Sequence, residues 1–251
     1  MKSLKSWVFL LAAAAALSGL TSCGGSTTPE PPGELTFSGT ITSGGSPLAG
    51  VTVFLSGDES KTTVTDAGGA FSFADLTGVS FVVTPSLRNT AFTPSNYELG
   101  TQSRTNLAFT AAAATYGSVV GRIAADFTAL DQNGQAVSLY SYFGKVVLID
   151  FSYELCGPCR AEAEGAEELY QQYKAQGLEM LTILTDGSTL KWHNDFGLSF
   201  PVLDDVAQVL WAVYGEGSWP LNIIIDRNMT IRYKVAGYAE TEVVNAIKKY
   251  L

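Results

Sequence analysis

The chain has 251 residues, of which 46% are hydrophobic and 16% are charged, so it contains enough apolar material for one or two packed domains. Its formal net charge of -9 argues against a nucleic-acid-binding protein, because phosphate binding requires clustered Lys and Arg. Three cysteines are too few for a disulfide-stapled scaffold, and with a single histidine they do not favour a four-ligand zinc site.

The N-terminal segment has the pattern of an export signal. Two lysines lie within the first five residues, and an apolar run over residues 7–17 follows them. This run is too short to span a bilayer and fits the hydrophobic part of a signal peptide. The sequence Leu20–Cys23 resembles the bacterial lipobox. We therefore predict a lipoprotein signal peptide over residues 1–22, lipidation of Cys23, and a flexible Gly/Ser/Pro-rich tether over residues 23–33.

Residues 34–114 are rich in Thr, Ser, Val, Phe and Gly and show no long helical period. Alternating apolar runs between turn signals predict an all-β, antiparallel sandwich domain, with a hairpin turn at Asp66–Gly69. The predicted strands are Leu35–Ile41, Val51–Ser56, Thr62–Thr65, Ala70–Phe73 and Phe81–Pro85.

Three segments of this region resemble the carboxypeptidase regulatory-like β-sandwich domains. They are Gly39–Ile41, Pro47–Val53 and Thr65–Phe73. The resemblance implies a spacer or an interaction surface, and both roles remain open. We identify no catalytic constellation in this region.

Residues 115–251 alternate between strand and helix patterns. A strand–helix–strand order predicts a parallel pair joined by a right-handed crossover, within a central mixed sheet flanked by helices. The predicted elements are a hairpin formed by Phe127–Leu130 and Ala136–Leu139, strands Lys145–Phe151 and Leu178–Leu184, a helix from Gly157 to Ala175, a hairpin formed by Leu221–Ile225 and Ile231–Val235, and a final helix from Glu240 to Tyr250.

The sequence Cys156-Gly157-Pro158-Cys159 lies where the central strand passes into the first helix. The reactive form of a cysteine is the thiolate, and a helix N-terminus favours negative charge. Pro158 is tolerated in the first turn because an N–H there has no intrahelical acceptor. A Cys-Gly-Pro-Cys motif between an apolar strand and an amphipathic helix predicts a redox centre.

The segment from Val147 to Arg160 resembles thioredoxins, and residues 124–251 resemble the membrane-tethered TlpA/ResA branch of the AhpC/TSA-related superfamily. Further matches are Phe127–Asp131, Phe200–Asp204 and Ile224–Arg227. The resemblance implies an α/β thioredoxin-like fold and dithiol–disulfide exchange outside the cytoplasm. It implies that Cys156 is the nucleophile and Cys159 the resolving thiol. Protein thiols and disulfides would be the substrates and a membrane protein the electron donor, with no cofactor and no metal.

The resemblance also assigns roles to residues outside the motif. Asp150 matches the acid that thioredoxins bury beneath their cysteines, and would accept a proton from the resolving thiol. Trp219-Pro220 lies where these folds keep a cis-proline facing the motif, and Gly157, Pro158, Trp219 and Pro220 would contact the substrate. The alternatives are an ordinary polar strand residue at 150 and an ordinary proline at a strand start.

Other functions remain open. Leu155 replaces the Trp that commonly precedes the first cysteine in this family, which leaves the substrate contacts and redox potential open. A peroxiredoxin-type peroxidase would have Thr where this chain has Tyr153, and a copper-delivery protein would use a histidine such as His193. The third alternative is a non-enzymatic interaction lipoprotein with a structural disulfide. Among these, we expect an exchange enzyme that acts as a reductant.

Overall fold

The computed structural model describes residues 34–251, which form one compact unit. The predicted signal peptide, the lipidation site Cys23 and the tether lie outside the described residues. No helix within residues 34–251 is long and apolar enough to cross a membrane.

Residues 34–114, here called the β region, contain strands and no helix. Their alternating apolar side chains place one face of each main strand inside the region. The strands are β1 (Leu35–Ser43), β2 (Ser46–Pro47), β3 (Thr52–Gly57), β4 (Lys61–Val64), β5 (Ala70–Leu76), β6 (Phe81–Ser86), β7 (Thr90–Thr93), β8 (Tyr97–Leu99) and β9 (Arg104–Ala113).

These strands form two sheets that enclose one hydrophobic core. The first has the order β2-β1-β9-β7, with β5 also paired to β1, and the second has the order β4-β3-β6-β8. Phe37 of β1 meets Phe81 of β6 edge to face, with ring centroids 5.3 Å apart, so the core joins both sheets. The prediction of an all-β region is confirmed. Its boundary at residue 114 and its assignment to the regulatory-like modules stay predictions.

Two details of the predicted β region are wrong. Strand β9 was not predicted, and it pairs parallel to β1, so the first sheet is not purely antiparallel. The turn at Asp66–Gly69 does not close a hairpin, because β4 pairs with β3 whereas β5 pairs with β1. The turn itself is well formed, since Asp66 Oδ1 accepts hydrogen bonds from the N–H groups of Gly68 and Ala70. A turn signal is local, whereas the partners of the flanking strands depend on the whole core.

The remaining chain begins with short strands and continues into a mixed sheet with helices. The predicted hairpin with its Asn-Gly turn is present. The elements are β10 (Tyr116–Gly117), β11 (Ile123–Ala124), β12 (Thr128–Leu130), β13 (Ala136–Ser138), β14 (Val146–Ser152), α1 (Gly157–Tyr173), β15 (Leu178–Leu184), α2 (Thr189–Asp195), β16 (Val202–Asp204), α3 (Val209–Tyr214), β17 (Leu221–Ile225), β18 (Ile231–Ala236) and α4 (Glu240–Tyr250).

The central sheet has the order β16-β15-β14-β17-β18. Strands β14, β15 and β16 are parallel, and β17 runs antiparallel to β14 and β18. Every residue of β14 is buried, as expected for a strand covered on both faces. Val147, Ile149 and Phe151 pack into one apolar cluster, while Val146 and Leu148 pack into a second cluster that includes Cys159. The predicted mixed sheet flanked by helices is confirmed.

The β region contacts the turn between β17 and β18. Arg232 donates from Nε to Asp226 Oδ2 at 2.6 Å, and its guanidinium also binds the hydroxyl and carbonyl oxygens of Ser95 at 2.7 and 2.9 Å. Asn228 accepts a hydrogen bond from the N–H of Leu87 and donates one to the carbonyl of Thr90. This turn lies at the opposite edge of the sheet from the C-terminal end of β14. The β region is therefore held away from the Cys156–Cys159 motif.

We expect Arg232→Met to lower the free energy of unfolding by about 3–5 kcal/mol, because it leaves the buried Asp226 carboxylate without its cation. The side chains of Arg232 and Asp226 are 7% and 1% exposed. Urea unfolding of the oxidised protein measures the change. Lys191→Met is the control, since Lys191 pairs with Asp195 on the exposed surface, and its unfolding midpoint should match the parent. Equal midpoints for both variants would contradict the anchoring role of Arg232.

Candidate functional site

The two cysteines of the motif lie at the start of α1, directly after the central strand. Cys156 is the N-cap of α1, and its Sγ accepts a hydrogen bond from the backbone N–H of Cys159 at 3.2 Å. The structure joins the two residues in a disulfide, with their Cα atoms 5.2 Å apart. The first N–H groups of a helix lack intrahelical acceptors and favour a negative charge placed beside them. A thiolate on Cys156 would therefore be stabilised.

The two sulfur-bearing residues differ in exposure. Cys156 is half-buried, whereas Cys159 is fully buried, with 0% of its surface exposed. Gly157 and Pro158 between them are exposed, and Leu155 before them is 80% exposed. An incoming molecule can reach Cys156 but not Cys159. The exposed Leu155 replaces a tryptophan at this position with a smaller apolar contact.

Asp150 lies on β14, on the same face of the sheet as Leu148, which belongs to the apolar cluster that includes Cys159. Its carboxylate accepts hydrogen bonds from the Ser152 hydroxyl at 2.8 and 3.0 Å and from the Thr182 hydroxyl at 3.4 Å. Burial raises the pKa of Asp150 well above that of a free side chain, although both hydroxyls favour the charged form. The sequence prediction that Asp150 is a buried acid is confirmed, while its role as a proton acceptor stays a proposal.

A second acid, Glu162, is partly buried and was missed by the sequence analysis. It lies on α1 one turn after Cys159, and its Oε2 atom is buried without a hydrogen bond of good geometry from residues 34–251. The pKa of Glu162 is raised by burial first and then by the negative charges of Asp150 and Glu240. Glu162 follows Cys159 by three residues and precedes Ala163, so it lies next to the buried side of α1. This spacing is the signal that could have revealed it.

Asn222 lies between the two acids and was also missed. It is fully buried on β17, directly opposite Asp150 in the strand register. Its side-chain amide favours the charged form of Glu162, yet both its Oδ1 and Nδ2 atoms lack a partner of good hydrogen-bond geometry among residues 34–251. A buried amide without such partners is uncommon in native proteins. Asp150, Glu162 and Asn222 therefore form one polar cluster on the face of the sheet that carries Cys159.

Trp219 and Pro220 lie at the same edge of the sheet as Cys156. The peptide bond between them is cis, as the resemblance implied, and the next residue, Leu221, pairs with Phe151 of β14. The Trp219 ring stacks on that of Trp211 in α3, with centroids 4.3 Å apart and planes 15° from parallel. This contact was not predicted, because α3 itself was not. It fixes the loop that presents the cis-proline.

The charged and metal-ligating groups nearby do not converge on the sulfurs. The guanidinium of Arg160, next to Cys159 in sequence, lies over the rings of Phe196 and Trp192 at 5.0 and 5.8 Å. His193 is a partly exposed residue of α2, with Nδ1 3.5 Å from Asn194 Oδ1. Within the described part of the chain, no group of three or more His, Cys, Asp or Glu side chains is arranged to hold a metal ion.

Comparisons with known proteins agree with this arrangement. The model of the AhpC/TSA family matches residues 120–234. Thiol-disulfide oxidoreductase ResA of Geobacillus thermodenitrificans is 34% identical over 121 residues, which cover 47% of this chain and 70% of the relative. ResA of Bacillus anthracis is 31% identical over the same coverage. A solved protein of Chlorobium tepidum, described as a DsbE thiol:disulfide interchange protein, is 26% identical and covers 51% of this chain and 98% of its own, with a TM-score of 0.47.

The C-terminal part thus has the thioredoxin-like fold, and the chain covers more than two thirds of relatives that are over 30% identical to it across the aligned residues. It belongs to the ResA family of thiol-disulfide oxidoreductases.

Proposed function

We propose that this oxidoreductase is an exported, lipid-anchored protein that exchanges disulfides with protein substrates through Cys156 and Cys159, and that it acts as a reductant. The observation that carries the proposal is the asymmetry of the motif. Cys156 is reachable and caps a helix, whereas Cys159 is fully buried, on the same helix as Glu162 and on the face of the sheet that carries Asp150.

The asymmetry supports a division of labour between the sulfurs. Exchange requires an exposed thiolate that attacks a substrate disulfide and forms a mixed disulfide. Cys156 meets both requirements, since its sulfur already accepts the N–H of Cys159 at the helix N-terminus. The buried Cys159 then attacks Cys156 Sγ and releases the substrate as a thiolate. To do so it must first lose its proton, for which Asp150 and Glu162 are the nearby acceptors.

The buried acids also support the reducing direction. A negative charge on these acids opposes ionisation of the Cys159 thiol. The acids therefore do not stabilise the reduced protein through a Cys159 thiolate. Strongly oxidising centres instead owe their potential to a stabilised reduced form. The guanidinium of Arg160 is occupied by the Phe196 and Trp192 rings rather than by the sulfurs. As a reductant in an oxidising compartment the protein requires a membrane partner that supplies electrons.

The substrate surface in this proposal is the edge of the sheet that carries the motif. Gly157 and Pro158 are exposed there, and Trp219 and Pro220 lie beside them on the cis-peptide loop. An extended substrate segment around a cysteine would pair with the backbone at this loop. The exposed Leu155 would contact apolar residues of the segment.

The half-exposed motif argues against a purely structural disulfide, which would be sealed from solvent. The peroxidase alternative gains no support, because the position three residues before Cys156 is Tyr153, whose ring packs toward Trp219 at 5.9 Å. We therefore keep disulfide exchange with proteins as the single proposed function.

The lipid anchor and the β region complete the proposal. Lipidation of Cys23 would tether the protein to a membrane of the cell envelope, facing the periplasm or the cell exterior. The β region lies between the tether and the redox motif in sequence and is fixed to the β17–β18 turn through Arg232 and Asn228. This attachment at the far edge of the sheet favours the role of a spacer, which would hold Cys156 away from the lipid surface.

The division of labour predicts different outcomes for the two cysteine variants. Cys159→Ser should accumulate substrates covalently bound to Cys156, because the second attack is lost. Cys156→Ser should trap almost nothing and lose activity. Both variants are expressed in the exporting host, and non-reducing gels are run after acid quenching and thiol blocking. Equal trapping by the two variants would contradict the assignment, and trapping by Cys156→Ser alone would reverse it. In the same samples the parent protein should be mostly in the dithiol form, and a mostly oxidised pool would contradict the reductant role.

Asp150→Asn should slow exchange by about tenfold, because an amide cannot accept the proton of Cys159 while Glu162 remains as a second acceptor. Stopped-flow reaction of the reduced protein with a small disulfide across about pH 5 to 9 measures the rate. Asp195→Asn, on the exposed face of α2, is the matched control. Unchanged rates for Asp150→Asn over this range would exclude the proton-acceptor role.

The same variant should alter stability with a definite sign. Because burial raises the pKa of Asp150, the folded protein holds this proton more tightly than the unfolded chain does. The contribution of this proton to the free energy of unfolding is thus fully present below the ordinary pKa of a carboxyl. It is lost as the pH rises through the raised pKa of Asp150. Asp150→Asn removes part of this fall and should unfold at a higher urea concentration than the parent at alkaline pH. A parent stability that rises over this range would contradict the burial of the acid.

The anchor predicts that the exported protein begins at an acylated Cys23. Mass spectrometry of the protein extracted from membranes measures the mass of its N-terminal peptide. Cys23→Ala should remain unprocessed or leave the membrane fraction. An exported protein that begins at Met1 or carries a free Cys23 thiol would refute the lipid anchor.

A further inference from the structure

A small cavity of about 50 Å³ lies between α1, α4 and the central sheet, on the side of the sheet that carries Cys159. Polar side chains line it at both ends: Asp150, Glu162 and Thr182 at the inner end, and Tyr238 and Glu240 at the outer end. Apolar residues such as Leu148 and Met180 form part of its wall. A cavity of this size, with polar groups along a mainly apolar wall, has room for about three water molecules.

Glu162 at the inner end, and Asn222 beside it behind the cavity wall, carry polar atoms that need such partners. Glu162 Oε2 and the Oδ1 and Nδ2 atoms of Asn222 are buried without a hydrogen bond of good geometry from residues 34–251. Asn222 is fully buried, and its amide faces the Glu162 carboxyl. Buried polar atoms that lack protein partners are normally hydrogen-bonded to ordered water. The cavity therefore suits a short chain of water molecules that begins at the buried acids.

Gly165 lies on the wall of the cavity within α1, three residues after Glu162. A glycine inside a helix is less favourable than alanine by about 0.5–1 kcal/mol. A Cβ added at Gly165 would meet no atom within 4 Å, so neither close packing nor a positive φ accounts for the missing side chain. The position is exposed. Its effect is to leave the space between α1 and α4 open to solvent.

The outer end is formed by two residues at the start of α4. Tyr238 donates a hydrogen bond from its hydroxyl to Glu240 Oε2 at 3.2 Å, and both side chains are exposed. The pKa of Tyr238 is raised by burial, by its bond to Glu240, and by the negative charges of Glu240, Glu162 and Glu164. The phenol thus keeps its proton at neutral pH and can pass hydrogen bonds between the cavity and a carboxylate in water.

We propose that this cavity is the route by which the proton of Cys159 leaves the protein, with Asp150 and Glu162 at its inner end and Tyr238 and Glu240 as positioning residues at its solvent end. The inference rests on the proposed roles of Cys159 and Asp150. It adds a path whose lining residues are separate from those of the proposed substrate surface, so the path does not run through that surface.

The proton balance of the reaction leaves one proton on the acid pair after each turnover. Cys156 thiolate attacks the substrate disulfide, forming one S–S bond and expelling one substrate thiolate. The proton of Cys159 passes to the acid pair, Cys159 Sγ then bonds to Cys156 Sγ, and the second substrate thiolate leaves. The substrate has gained two electrons, and the motif has become a disulfide. Both substrate thiolates take protons from water. The proton on Asp150 or Glu162 stays inside the protein until it passes to solvent or returns to Cys159 when the motif is next reduced, and the cavity provides the first of these paths.

The groups that face Glu162 determine how its pKa changes when one of their charges is removed. Asp150 faces it from β14, Glu240 from α4 and the neutral Asn222 amide from β17. Removing the charge of Glu240 lowers the pKa of Glu162, because the remaining negative charge near the carboxyl is smaller. Glu240 touches neither sulfur, so any effect of its substitution on exchange acts through the buried acids.

Hydrogen–deuterium exchange of the buried acids tests the route directly. The infrared carboxyl band of protonated Asp150 and Glu162 is followed in the oxidised protein after transfer to D₂O near neutral pH, with Asp150→Asn and Glu162→Gln used to assign it. Gly165→Leu, which places a side chain over the opening, should slow the shift of this band by about tenfold or more, since exchange then requires local opening of the structure. Gly165→Ala is the control and should exchange at nearly the parental rate.

Two exposed substitutions provide a second measurement that does not depend on the fit of a leucine. Glu240→Gln should move the pH profile of exchange with a small disulfide toward lower pH, and Tyr238→Phe should slow deuterium uptake while keeping the unfolding midpoint. An unchanged uptake rate in Gly165→Leu and Tyr238→Phe would overturn the proposed route. An unchanged pH profile in Glu240→Gln would remove that residue from it. Trapping by Cys159→Ser would stand in either case, whereas failure of trapping would refute the proposed function itself.

Discussion

The rest of the site depends on one constraint, which is that a carboxyl group lies on a strand buried on both faces. Strand β14 is apolar on either side of Asp150, and a charge there is unfavourable unless polar groups surround it. The protein supplies hydroxyls from Ser152 and Thr182 and places Asn222 opposite in the register. With Glu162 added from α1, two acids lie close together on the face of the sheet that carries Cys159. Burial and mutual repulsion then keep a proton on the pair at pH values where a free carboxyl has none.

The architecture separates this chemistry from the attachment of the chain. Parallel strands place their C-terminal ends at one edge of the sheet, where Cys156 and the cis-peptide loop lie. The β17–β18 turn lies at the other edge, and there Arg232 and Asn228 bind the β region. The five residues of β17, at about 3.3 Å per residue, put the two edges about 16 Å apart. The β region, bound at one edge, therefore does not cover the edge that carries Cys156.

Local patterns predicted those parts of the molecule whose structure is set locally. The apolar run of β14, the stripe of α1 and the final helix all gave the right element, because their burial repeats with the period of the strand or helix. The same logic located Cys156 and Cys159. Strand β9 was missed because it pairs with β1 across some 70 residues, and no local signal names its partner. Glu162 and Asn222 were missed for a related reason, since their importance comes from meeting Asp150 in space rather than from neighbouring residues.

The two cysteines are thus distinguished by opposite electrostatic surroundings that arise from a single helix. At its first turn, unpaired N–H groups favour a thiolate on Cys156. One turn later the same helix carries Cys159 into an apolar cluster and Glu162 into the space beside Asp150, where negative charge is disfavoured. The Cys159 thiol therefore keeps its proton until the mixed disulfide has formed. Its attack on Cys156 Sγ then converts the developing thiolate into an uncharged disulfide. Because a thiolate is favoured at Cys156 and disfavoured at Cys159, the order in which the two sulfurs attack follows from where negative charge is stable.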